Sequence, residues 1–130
     1  MLAGLASARA ATVEVEVEGA EPGGSVYVAL CQGGLSEDDC ARGQDAPVRG
    51  GALHVVFKDV TSGAYAVAAF QDLNGNGRLD RTGLGLPLEP YGFSGAVGRK
   101  ARPDFAQAAF TLREPGTALR LRLARALPRH

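Results

Sequence analysis

The oxygen-bearing side chains of this sequence crowd into one stretch, QDLNGNGRLD, where Asp72, Asn74, Asn76 and Asp80 fall at relative positions 1, 3, 5 and 9. With Gly77 at position 6 to permit a sharp bend and the Arg78 carbonyl at position 7, this is the order of oxygens with which a loop wraps calcium. Position 12 is Gly83, not the bidentate glutamate of an EF-hand, and only two of the loop side chains are charged. A site of that kind binds weakly, in the range of about 10⁻⁴ to 10⁻³ M. Asn74-Gly75 and Asn76-Gly77 are equally the residues of a tight hairpin turn, so a plain turn stands beside calcium as the alternative.

Other chemistry has less to work with. Cys31 and Cys40 are the two cysteines, nine positions apart and outside any C-x-x-C or Cys/His cluster. Their simplest reading is a disulfide, with two unrelated reduced thiols as the alternative. His54 lies within a strand pattern and His130 is the final residue, which leaves no convenient base for a Ser-His-Asp or Cys-His arrangement. Glu37-Asp38-Asp39 reads as a solvated acidic loop. Phosphate-cradling glycine motifs and H-E-x-x-H are absent. Glu89, Tyr91 and Phe93, in PLEPYGFSG, are candidates for a ligand or partner surface, because aromatics on a Gly/Pro-held loop present rigid contact area. The same rings would also serve to close the end of a core. An enzyme would have to gather Asp72, Asp80 and Glu89 around a metal acting as Lewis acid, as in a metal-dependent hydrolase. The expectation is a noncatalytic module, with calcium as its one cofactor.

The elements that position these residues are strands. Residues 12–18, TVEVEVE, alternate valine with glutamate, and residues 25–31 alternate Val26, Val28 and Leu30 with Tyr27 and Ala29. A turn at Glu21-Pro22-Gly23-Gly24 joins them, so the two are expected to form a hairpin. Residues 32–51 read as a polar loop, with Ser36 and Asp39 spaced to cap a single helical turn. Strand patterns resume at residues 52–60 and 64–71. A long Gly/Pro-rich segment follows over residues 75–104, and two closing strands lie near residues 108–113 and 117–123. The pattern predicts an all-β fold, a single antiparallel two-sheet β-sandwich of about seven strands, prealbumin- or immunoglobulin-like. Its expected core includes Val13, Val15, Val17, Val26, Val28, Leu30, Val55, Phe57, Val67, Leu119 and Leu121.

At 130 residues the chain is one domain, 45% hydrophobic without a long apolar run, so a membrane span is not expected. Acidic and basic side chains number 14 each, which leaves no global field for nucleic acid. Residues 1–65 nevertheless carry 4 basic and 9 acidic groups, net −5, and residues 66–130 carry 10 and 5, net +5. Surface complementarity within a monomer accounts for that split. Residues 1–11 contain Ala8-Arg9-Ala10, the small-x-small pattern of a signal-peptidase site, and read as the remnant of an export signal or a frayed terminus. Residues 12–124 then form the sandwich domain and residues 125–130 a tail, in a periplasmic or secreted protein.

The run DVTSGAYAVAAFQDLNGNGRLD, residues 59–80, followed by GLGLPLEPYGFSGAVGR, residues 83–99, resembles the bacterial domain-of-unknown-function family 2141. Its most specific pieces are Gly63-x-Tyr65-x-Val67, the loop from Asp72 to Gly77, and Glu89-Pro90-Tyr91-Gly92-Phe93-Ser94. Such sequences continue with asparagines where this one has Gly95-Ala96. The resemblance implies a small exported protein with a transthyretin-like or prealbumin-like β-sandwich. It implies no activity, and leaves the ligand open among a protein, a glycan and a small molecule.

Overall fold

Strand β1 (Ala10–Glu18) owes its form to strict alternation: Ala11, Val13, Val15 and Val17 are buried, while Glu14, Glu16 and Glu18 face outward. The structure is a computed structural model that describes residues 10–36, 38–73, 89–95 and 105–125. Among these, the chain forms β2 (Ser25–Cys31), β3 (Arg42–Pro47), β4 (Leu53–Thr61), β5 (Gly63–Asp72), β6 (Tyr91–Phe93), one helical turn α1 (Phe105–Ala108), β7 (Phe110–Leu112) and β8 (Gly116–Arg122). The fold is all-β, as expected. Eight strands are described where about seven were anticipated, because β3 arises inside the polar stretch read as a loop.

The strands form two sheets, ordered β4-β1-β8 and β3-β2-β5-β6, with β7 pairing the first half of β5. Two expectations need correction. β1 and β2 are not a hairpin: β1 pairs with β4 and β8, whereas β2 pairs with β3 and β5. Alternation establishes which face of each strand is buried, but both valine sets can be buried equally well when the chain crosses from one sheet to the other. The fold is also not wholly antiparallel, since β8 runs parallel to β1 from Thr12↔Gly116 to Glu18↔Arg122. A parallel pair needs a long connection, and nearly the whole chain supplies it.

Inner faces of both sheets feed one apolar cluster. Val13, Val15, Val17, Val55, Phe57 and Leu121 come from one sheet, and Val26, Val28, Leu30, Tyr65, Val67 and Ala69 from the other. Ten of the eleven core residues expected from alternation are buried, and Leu119 packs on the cluster while remaining partly exposed. A bulge bends β4, where Phe57 opposes Val13 and Val60 opposes Ala11, so that two residues face Thr12 alone. Asp59 takes the left-handed backbone (φ 58°) that this extra residue requires.

Both sides between the sheets are bridged. On one, Arg42 donates through Nη2 to the Lys58 carbonyl and Gln44 Nε2 donates to the Val56 carbonyl at 2.7 Å, joining β3 to β4. On the other, Tyr91 and Ala124 exchange two backbone hydrogen bonds of 3.0 Å, joining β6 to the chain just after β8. Gly92 is needed there, because a Cβ at that position would collide with the Arg122 carbonyl.

Candidate functional site

The described polar groups converge at the end of β5. Gln71 is fully buried because alternation aims it inward, yet it is a polar side chain with several hydrogen bonds to satisfy. The crossover from β1 to β2 satisfies them: Gln71 Nε2 donates to the carbonyls of Glu21 (2.6 Å) and Gly23 (2.7 Å), and Glu21 N donates to Gln71 Oε1 (2.8 Å). Glu21 in turn accepts from Arg125 Nε at 2.5 Å and Nη2 at 2.8 Å, a bidentate pair that ties the segment just after β8 to the same turn. Hydrogen bonding to Glu21 raises the Arg125 pKa above its ordinary value against an opposing effect of burial, and the charges of Glu21 and Glu89 add to the rise.

Glu89 is the second polar group drawn in, at 5% exposure. Its Oε2 accepts from Leu73 N at 2.7 Å, linking the residues on either side of positions 74–88. Asp72, the first expected calcium ligand, ends β5 directly beside this link. Asn74, Asn76, Arg78 and Asp80 lie outside the described residues, so of the expected ligands the structure describes Asp72 alone, next in sequence to the Leu73 amide that Glu89 holds. Among the described residues no three of His, Cys, Asp and Glu gather where a metal ion would be held.

Tyr91 is 4% exposed and Phe93 half-buried, their rings 6.0 Å apart and edge to face. Of the three residues expected at a recognition surface, only Phe93 therefore offers appreciable area. Cys31 and Cys40 are bonded, with sulfurs 2.01 Å apart. The bridge closes a loop in which Asp39 N donates to the Ser36 hydroxyl (3.3 Å) and Ser36 N donates back to Asp39 Oδ2 (3.3 Å), the reciprocal capping that their spacing predicts, with Ser36 Oγ also donating to Asp39 Oδ2 (2.7 Å). A disulfide fits a compartment outside the cytoplasm. No described helix is long and apolar enough to cross a membrane.

His54 is not buried in the core. It faces outward on β4 beside Glu16, with Nε2 3.6 Å from Oε1, in a shallow groove of about 210 Å³ lined by Glu14, Glu16, His54, Ala118, Leu119 and Arg120. Glu16 and Arg120 lie 3.5 Å apart across that groove, so its charges oppose each other.

Sequence reasoning did not single out Gln71, Ser94 or the Glu21–Arg125 pair. Ser94 is 3% exposed, accepts from Val67 N at 2.8 Å and donates to the Ala108 carbonyl at 2.7 Å. Its signal was its place at the end of the Tyr91-Gly92-Phe93 motif, read there for aromatic contact alone. Residues 15–120 match the family described as an uncharacterized protein conserved in bacteria, domain of unknown function 2141. No curated protein and no solved structure matches the chain.

Proposed function

The chain belongs to this bacterial family, and from that premise we propose an exported, noncatalytic β-sandwich of the prealbumin type that acts as a binding module in the periplasm or after secretion. Its Asp72 loop takes one calcium ion for structure, and its loops meet a protein, glycan or small ligand as a monomer. Two sheets sharing one core support the sandwich, and the Cys31–Cys40 bond supports export.

The hydrogen bond from Leu73 N to Glu89 Oε2 carries the calcium reading. It fixes the strand end that carries Asp72 by tying the Leu73 amide to the buried Glu89 carboxylate, which anchors the two ends of residues 74–88 to each other. Asp72, Asn74, Asn76, Asp80 and the Arg78 carbonyl then supply oxygens, and binding removes chain entropy from a segment without strand periodicity.

Thermal melts with calcium, magnesium or chelator test the reading, with Asp72→Ala as control. Calcium should raise Tm by mass action, contributing about 2.7 kcal/mol at a free concentration one hundred times Kd. Magnesium should do less, because it demands a tighter octahedral shell. A Tm indifferent to calcium in the parent protein overturns the proposal.

A further inference from the structure

Strand register lays out the outer face of the β3-β2-β5-β6 sheet. Directly opposed residues share a face. One row runs Asp45, Tyr27, Phe70, Tyr91, and the next runs Gly43, Ala29, Ala68, Phe93. A third begins with Cys31 and Ala66, while Ser25 stands between Pro47 and Asp72 at the other end. Aromatic rings therefore line up across three strands above a floor of glycine and alanine.

Two of these rings keep part of their surface exposed. Tyr27 and Phe70 are both half-buried, with centroids 5.7 Å apart and planes tilted by 39°, and Tyr27 also packs against the small cluster of Ala29, Cys31, Ala66 and Ala108. The Tyr27 hydroxyl end lies over Gly43, where a Cβ would collide with it, so the ring reclines toward β3. Asp45, the register partner of Tyr27, is exposed at the rim. Among the described strand positions of this face the charged residues are Asp45 and Asp72, both acidic, and none is lysine or arginine. Arg42 sits in the adjacent register and reaches the Lys58 carbonyl on the other side.

Aromatic faces carry negative potential and attract cations, most strongly when a carboxylate stands beside them. We propose that the exposed part of the tilted Tyr27–Phe70 pair, with Asp45 at its rim, binds a small organic ammonium ion, the quaternary trimethylammonium group being the best fit. A neutral apolar ligand would gain only area on this face. A trimethylammonium group gains the ring attraction as well, and its diffuse charge is cheaper to dehydrate than a primary amine. The inference rests on reading the chain as a noncatalytic binding module, but not on calcium.

Titration of the intact, oxidised protein with choline, in chelator and at constant ionic strength, tests it through the ring proton signals of Tyr27 and Phe70. Saturable shifts at those rings, with millimolar affinity, are expected. The neutral isostere 3,3-dimethylbutan-1-ol should bind about threefold or more weakly, as should choline to Asp45→Asn. Tyr27→Leu should lose as much, and if it fails to fold, Asp45→Asn and the alcohol decide the matter alone. Equal affinity for choline and the alcohol overturns the proposal, as do shifts that map away from Tyr27 and Phe70. Because chelator is present throughout, failure here leaves the calcium melts to be judged separately.

Discussion

Ser94 joins three segments through two side-chain hydrogen bonds. It stands where β5 stops pairing with β6 and before it pairs with β7, and its backbone N donates to the Val67 carbonyl as well. Ser94→Ala leaves the Val67 N–H and the Ala108 carbonyl buried without these partners, a loss of about 2 to 4 kcal/mol measurable by urea unfolding. A loss under about 0.5 kcal/mol would show that the gap repacks or hydrates. Arg125 acts at longer range and its contribution has a defined pH dependence. Its pKa is raised in the folded state, so the stability it brings is fully present below the ordinary guanidinium value of the unfolded chain and disappears only as pH rises through the still higher folded one. Arg125→Gln should therefore cost about 0.5 to 1 kcal/mol at both about pH 6 and about pH 9. A cost that vanished at the higher pH would contradict the pairing. None of these roles was legible beforehand, for a physical reason. The partners of Gln71 lie 48 and 50 positions away and that of Arg125 lies 104 away, whereas spacing arguments see only neighbours.

Strands whose inner faces carry valine, leucine or phenylalanine were legible within two residues at most ends, because burial of one face imposes period two on the sequence. β3 had no such imprint. Its residues, RGQDAP, are exposed except for partial burial of Ala46, and it forms because β2 needs a partner on that side. Edge strands of this kind are specified by what they cover. Here Arg42 and Gln44 cover the Lys58 and Val56 carbonyls on the unpaired side of β4. Replacing both with serine removes those hydrogen bonds without touching the core, so the expected destabilisation is modest, about 1 to 2 kcal/mol. The larger effect should be association: a bared β4 edge offers a row of acceptors to another chain. Sedimentation velocity should show concentration-dependent dimers or larger species in the double variant and not in the parent, and a variant that sediments like the parent would remove edge protection from the role of these side chains.

The opposite net charges of the two halves of the chain resolve when the sheets are assembled. Parallel pairing of β1 with β8 sets Glu16 and Glu18 against Arg120 and Arg122 at 3.5 to 3.8 Å, so acids from one half meet bases from the other on one exposed face. That face, the shared core and the bridges at both sides depend on contacts between distant segments, and none of them involves the disulfide. The Cys31–Cys40 loop serves the other face, where Leu35 and Cys40 pack against Ala29, Cys31, Ala66 and Ala108 in a small separate cluster. Reduction should therefore divide the molecule. For a closed loop of about ten residues the lost constraint is worth roughly 2.7 kcal/mol on the chain-entropy model, visible as a lower urea midpoint for Cys40→Ser or for reduced protein. Amide exchange locates the damage: the Gln32 N–H, which donates to the Asp39 carbonyl, and the last residues of β2 should lose protection first. Amides of β1 paired to β4 and β8 should lose protection only with global unfolding, since their neighbours belong to the main core. If β1 instead opens as early as β2, the two clusters are energetically one, and the bridge stabilises the whole sheet pair rather than the loop it closes.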